Sequence, residues 1–129
     1  MQDLPIGIQN FETIRTEDFV YVDKTEHLFN IVRKTGVYFL SRPRRFGKSL
    51  TLSTLEAMFQ GKSELFKGLY AEEWVKEQAK HPAGVIRLDI GHLTVYKNAE
   101  ELNDSLVFYL KRFIKKNILL FLVILNLHK

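Results

Sequence analysis

Val37-Tyr38-Phe39-Leu40-Ser41-Arg42-Pro43-Arg44-Arg45-Phe46-Gly47-Lys48-Ser49 is the stretch on which the reading of this sequence turns. Its first four residues are apolar, aromatic and β-branched, which predicts a short strand buried on both faces. Ser41 to Lys48 is polar and basic, with Pro43 and Gly47, and reads as a loop. From Ser49 to Gln60 the apolar positions Leu52, Leu55 and Phe59 recur at helix spacing, and Gly61 ends the run. Gly47-Lys48-Ser49 matches the end of the phosphate-binding pattern G-x-x-x-x-G-K-[ST]. Roughly one chain in twenty of this length holds such a triplet by chance at ordinary residue frequencies. The strand–loop–helix setting is therefore what gives the triplet weight.

Each residue of the triplet has a physical task. Gly47 lets the backbone approach phosphate oxygens at angles that a side chain would forbid. Lys48 puts a point charge on the β/γ-phosphates, and the Ser49 hydroxyl is a ligand for Mg²⁺. The helix that opens at Ser49 aims unpaired N–H groups and its positive dipole end at the anion. Arg42 stands where the first glycine of the pattern belongs, and Pro43 has no N–H to offer. Arg44 and Arg45 admit two readings, solvated loop charge or guanidinium forks on phosphate or on a partner's carboxylates. The candidate nucleotide site is Arg42, Pro43, Arg44, Arg45, Phe46, Gly47, Lys48, Ser49 and Leu50. Ser49 is its metal ligand, and no catalytic residue is assigned.

Outward from this loop, helix-period and strand-like segments alternate, which indicates an α/β chain. The first twenty residues read as irregular, with a small apolar cluster at Phe11 and Ile14. A helix is expected from about Thr25 to Lys34, capped by Asp23 or Thr25. Leu28, Ile31 and Val32 would share its inner face, and Gly36 would take its left-handed C′ position. A short helix is expected from Ala71 to Ala79, with Trp74 in or at the edge of the core. Val85 to Ile90 reads as a strand. Asn98 then caps a longer helix, with Glu101 as reciprocal partner and Leu102, Leu106, Leu110 and Phe113 as its apolar face. Ile118 to Leu125 is a run of eight apolar residues, too short to cross a hydrocarbon core of about 30 Å as a helix, and is expected to be a buried strand. With the chain ending four residues later, the expected parallel sheet is unfinished, and the sequence reads as a fragment or truncated product.

Composition bounds the possibilities. The 129 residues fit one domain, and 46% hydrophobic content suits a globular core. Nineteen Lys and Arg against fifteen Asp and Glu give a net charge of +4, too mild for a histone-like protein. With no cysteine, disulfides, a thiolate nucleophile and Cys-ligated zinc are excluded. His27, His81, His92 and His128 show no metal-ligand spacing, and His92 reads as a loop residue. No secretory signal opens the sequence, so a cytoplasmic setting is expected.

Leu4-Pro5-Ile6-Gly7-Ile8-Gln9-Asn10-Phe11, Tyr21-Val22-Asp23-Lys24-Thr25 and Tyr38 through Leu50 together resemble the bacterial AAA-ATPase-like family. Ser53-Thr54-Leu55-Glu56, Leu65-Phe66-Lys67-Gly68-Leu69 and Val85-Ile86-Arg87-Leu88-Asp89 continue the likeness, which covers roughly residues 4 to 116. Members of this family, abundant in gut anaerobes, pair an N-terminal P-loop ATPase region with a PD-(D/E)XK-type nuclease-like domain. The resemblance implies an incomplete P-loop NTPase (AAA-like) three-layer fold, with parallel strands and flanking helices over residues 1–116. An apolar tail unlike the family would follow over 117–129. It implies ATP and Mg²⁺ as ligands, and makes Arg42 the family's own form of the loop. Lys24 would lie beside adenine, or is a plain helix-start charge.

The family's paired metal-holding acids have no counterpart here, since no Asp or Glu follows Asp104. Asp89, at the end of a strand, is either a metal-organising acid or a strand-end hydrogen-bond group. The expected function is ATP binding without assured hydrolysis. The alternatives are a phosphate- or nucleic-acid-binding module and a non-functional truncated product. Nucleic acid is otherwise a partner only through the absent C-terminal part, and no membrane is expected. Lys111 to Lys116 reads as cations at a helix C-terminus, or as a nucleic-acid contact.

Overall fold

A computed structural model describes residues 1–129 except Thr35, Val37, Arg42, Arg44, Arg45 and the stretches 90–97, 115–120 and 127–129. For 87–89, 109, 110, 112–114 and 121–126 it describes the backbone alone. The described elements run α1 Phe11–Thr16, α2 Thr25–Val32, α3 Lys48–Phe59, a 3₁₀ turn Ser63–Phe66, α4 Glu72–Gln78, β1 Gly84–Asp89, α5 Ala99–Ile114 and β2 Phe121–Asn126. The chain is thus mixed but mainly helical, with little strand. It divides into two units, Met1–Pro82 and Ala83–Lys129.

In the first unit, Asn10 starts α1 by accepting the Thr13 N–H on its side-chain oxygen at 3.2 Å. That cap, with Phe11 and Ile14 three apart and both buried, makes a helix where the sequence reads as irregular. The core gathers Phe11, Leu28, Ala57, Met58, Leu65, Phe66, Ala71 and Val75. Phe11 and Phe66 lie at its centre, 4.8 Å apart between ring centroids, with Tyr21 edge-on to Phe11 at 5.1 Å. Trp74 meets Phe59 at right angles at 5.9 Å on the margin of this core.

Helix α3 threads the unit, and it buries a face other than the expected one. Ser53, Thr54, Ala57 and Met58 point inward with Phe59, while Leu52 and Leu55 are half-buried. Hydroxyls are tolerated there because each is satisfied. Ser53 Oγ accepts the Phe11 N–H at 3.0 Å, and Thr54 Oγ1 donates to the Leu50 carbonyl at 2.8 Å. Gly61 ends the helix as expected. It sits at φ +69, its N–H donates to the Met58 carbonyl, and the Lys62 N–H donates to that of Ala57, the paired bonds of a Schellman stop.

Two expectations in this unit need correction. Helix α2 stops at Val32, with Arg33 as its cap, and Gly36 is not among the left-handed glycines. The Tyr38 hydroxyl donates to the Lys34 carbonyl at 3.1 Å. The expected strand at 37–40 is also absent. Val37 lies outside the described residues, and Tyr38, Phe39 and Leu40 are irregular and 51%, 85% and 40% exposed. Apolar, β-branched character gives strand propensity only where a neighbouring ladder and a covering layer exist, and none meets these three residues among those described.

The second unit holds a parallel pair of strands. β1 and β2 run in register from Gly84 opposite Phe121 to Asp89 opposite Asn126. The apolar run near the C-terminus is therefore a strand over 121–126; its side chains lie outside the described residues, and so does the question of its burial. Asn98 starts α5 as expected, its side-chain oxygen accepting the Glu101 N–H at 2.8 Å. On α5, Leu102 and Leu106 are half-buried, whereas Val107 and Phe108 are exposed.

Candidate functional site

The predicted site falls at the start of α3. Gly47 is the residue before the first helical turn and adopts φ +73, ψ +19, the left-handed region in which a β-carbon meets the following carbonyl. Apart from its chain neighbours, no atom of the described residues lies within 4 Å of where a β-carbon would stand. The position is therefore held by backbone conformation and not by crowding, and its outer face is open to a close-approaching group. The Thr51 N–H donates to the Gly47 carbonyl at 2.9 Å, which starts the helical ladder. The N–H groups ahead of it have no intrahelical acceptor, and Gly47 has no side chain with which to cap them.

This end is electrostatically distinct among the described helices. The first turns of α1, α2, α4 and α5 each carry glutamate: Glu12, Glu26, Glu72 with Glu73, and Glu100 with Glu101. The first turn of α3 has no acid. The positive end of the helix dipole therefore meets no acid within its own first turn, and Lys48 adds a cation beside it. Lys48, Ser49 and Leu50 are half-buried; Phe46 and Pro43 are exposed. Arg42, Arg44 and Arg45 lie outside the described residues, so the described part of the site is Pro43 and Phe46 through Leu50. Such a terminus suits a phosphate chain, and a hydroxyl one residue beyond the lysine is the donor type that Mg²⁺ prefers.

Lys24 is exposed and precedes α2 without capping it. The cap work is done one residue earlier. One oxygen of the Asp23 carboxylate accepts from the Thr25 N–H at 2.8 Å and from its hydroxyl at 2.7 Å; the other accepts from the Tyr70 N–H at 2.8 Å. Thr25 Oγ1 in turn accepts from the Ala71 N–H at 3.1 Å. Partial burial pushes the Asp23 carboxyl up, but the Tyr70 and Thr25 bonds, with the charge of Arg15, outweigh it and hold it below its ordinary value. Burial has the upper hand at Tyr21, whose phenol is raised despite a hydrogen bond to Thr54. Arg15 binds the turn after α3, donating to the Leu65 carbonyl at 2.8 Å and the Lys67 carbonyl at 2.7 Å. The sequence offered Asp23 or Thr25 as the cap. The reach to Tyr70 and the carbonyl-binding role of Arg15 carry no local signal.

Most of the other candidates lie outside the described residues. Asp89 ends β1, as the sequence indicated, with its side chain outside the described residues; His92 is also outside them, as are all of 115–116 and the side chain of Arg112. A small polar hollow of about 120 Å³ lies against Asn10, Glu12, Ser53, Glu56, Gln60 and Lys62. Its lysine is paired with Glu12 at 2.6 Å, and it serves the α1–α3 contact well along the helix from Lys48. Among the described residues no three His, Asp or Glu groups could hold a metal, and no helix is long and apolar enough to cross a membrane.

Comparison with known proteins agrees with the likeness read from the motifs. Residues 5–119 match a family described as a predicted AAA-ATPase. An uncharacterized protein in the vnfD 5′ region of Azotobacter chroococcum mcd 1 is 43% identical over 104 residues, 80% of this chain and 20% of that protein. The chain therefore spans about a fifth of that relative's length. No solved structure matches it.

Proposed function

The chain belongs to the predicted AAA-ATPase family, and from that premise we propose that the start of α3 binds the phosphates of ATP with Mg²⁺. The observation that carries the proposal is the helix terminus with no acid in its first turn, opened by left-handed Gly47 and followed by Lys48 and Ser49. Backbone N–H groups and the dipole hold the phosphate oxygens, the Lys48 ammonium faces the β/γ-phosphates, and the Ser49 hydroxyl is the metal ligand. Arg42, Pro43, Arg44, Arg45, Phe46 and Leu50 complete the lining by sequence. The three-layer P-loop arrangement is part of the same proposal, supported by the parallel β1–β2 pair and by the loop-to-helix passage at Gly47.

Binding is what is proposed for these residues; turnover would further require groups that orient water and hold the metal through an acid, and none is assigned among residues 1–129. A cytoplasmic setting is proposed with it, as the place where ATP·Mg²⁺ is supplied. Four fifths of the Azotobacter relative lies outside the match. For such longer proteins the resemblance implies a nuclease-like domain, whose coupling to nucleotide binding is a further proposal. The test is calorimetric titration of the whole chain with ATP·Mg²⁺. Lys48→Ala should weaken binding roughly 10- to 100-fold, the effect of losing a charge-assisted bond. Equal affinity of the two proteins would overturn the assignment.

A further inference from the structure

Ser53 lies on α3 beyond the turn that opens at Lys48, buried against the start of α1. A serine within a helix commonly turns its hydroxyl back onto the preceding turn, and Ser53 does so, donating to the Leu50 carbonyl at 2.9 Å. The Gln9 carbonyl, at 3.4 Å, is the more distant of the two acceptors in reach. The same oxygen also holds a second helix. It accepts the Phe11 N–H at 3.0 Å, from a residue 42 positions away. Phe11 is the first residue of α1, so its N–H has no acceptor in its own helix, and Ser53 satisfies a buried donor that α1 cannot.

From Ser53 the bonds run on toward the candidate phosphate site, all in one direction. The Leu50 carbonyl shares a peptide plane with the Thr51 N–H, which donates to the Gly47 carbonyl at 2.9 Å. That carbonyl shares its plane with the Lys48 N–H, the first N–H of α3. Peptide planes are rigid, so holding a carbonyl also aims the N–H on its far side. Phe11 N–H, Ser53 O–H, Thr51 N–H and Lys48 N–H thus stand head to tail, each bond polarising the next. The first turn is where such help counts. The helical ladder holds it least, and donors aimed in advance meet an anion without a further ordering cost. We propose that Ser53 is a positioning residue for the phosphate site, fastening the first turn of α3 to α1 and aiming its amides; this rests on the nucleotide reading of that turn. Thr54 Oγ1 donates to the same Leu50 carbonyl at 2.8 Å. Without the Ser53 hydroxyl that carbonyl therefore stays satisfied, and what is lost is the tie to α1.

The test is titration of the whole ¹⁵N-labelled chain with ATP·Mg²⁺, followed by amide shifts. Ser53→Ala should weaken binding roughly 2- to 12-fold, the worth of one net hydrogen bond. Ser53→Thr, which keeps the hydroxyl, should bind as wild type does. Val75→Ala truncates the buried core outside this file of bonds and should also bind as wild type does, which separates positioning from stability. In wild type the Phe11 amide should shift along the same titration curve as that of Gly47, a readout that needs no variant. The proposal is overturned if ATP binds while the Phe11 amide stays still, if Ser53→Ala binds as tightly as wild type, or if Val75→Ala loses as much as Ser53→Ala. Wild type that binds no ATP would strike the nucleotide reading instead, and the tie is then judged in the free protein. There Ser53→Ala should move the Thr51 and Lys48 amide shifts and Val75→Ala should not; amides unmoved by Ser53→Ala would overturn the tie itself.

Discussion

Gly47 places the heaviest demand on residue type within the site. Its φ of +73 excludes ordinary side chains although the space beside it is open, so Gly47→Ala should cost about 1–2 kcal/mol through conformation alone. A lowered urea midpoint with an unchanged slope, together with weaker ATP binding, is the expected result. Asp23 acts through charge. Its folded carboxyl holds a proton less tightly than in the unfolded chain, so its stabilisation is complete above the ordinary carboxyl range and fades as pH falls through the lowered folded value. Asp23→Ala should therefore destabilise by about 1 kcal/mol at pH 7. The gap to wild type in urea melts should shrink below about pH 4. At this scale the sequence was legible wherever a residue acts on its near neighbours. Gly47 and Asn98 are legible from spacing and the cap before α2 is narrowed to Asp23 or Thr25, whereas the Asp23–Tyr70 bond joins positions 47 apart and leaves no periodic trace.

Elements were legible when hydrophobic period and punctuation agreed. α3, α4, α5, β1 and the C-terminal strand stand close to their expected spans, because each has an apolar rhythm and a Gly, Pro or Asn at a boundary. The buried face of α3 was misread because Ser53 and Thr54 look like surface residues until their hydroxyl partners are known. α1 was missed because six residues are too few to show a period. The 38–40 segment was over-read, since propensity cannot report whether a neighbouring strand is there to pair with. The α3 stop offers a sharp test. A β-carbon on Gly61 would lie 2.5 Å from the Ala79 α-carbon, a backbone atom that cannot step aside, in a residue already at positive φ. Gly61→Ala should combine left-handed strain with overpacking and cost on the order of 3 kcal/mol. The control is Gly7→Ala, also at positive φ but with open space around it, which should cost only the smaller conformational part.

Across the whole molecule, the apolar core of the first unit is built around Phe11 and Phe66, and Phe66→Ala should remove about 3–5 kcal/mol. Among the described residues the second unit has a two-strand parallel pair, a motif with little stability of its own. Hydrogen exchange should therefore find the slowest amides at Ala57, Met58 and Phe59, with those of Gly84–Asp89 exchanging sooner; the reverse order would contradict this division. Family membership was legible because several motif blocks occur in order along the chain, a pattern that needs no side-chain contact to be seen. Nucleotide binding at the start of α3 is tested most directly by NMR titration of ¹⁵N-labelled protein with ATP·Mg²⁺. The largest amide shifts should fall on Gly47, Lys48 and Ser49 and be lost in Lys48→Ala. Saturating nucleotide that leaves those three amides unmoved, or moves only distant ones, would contradict it.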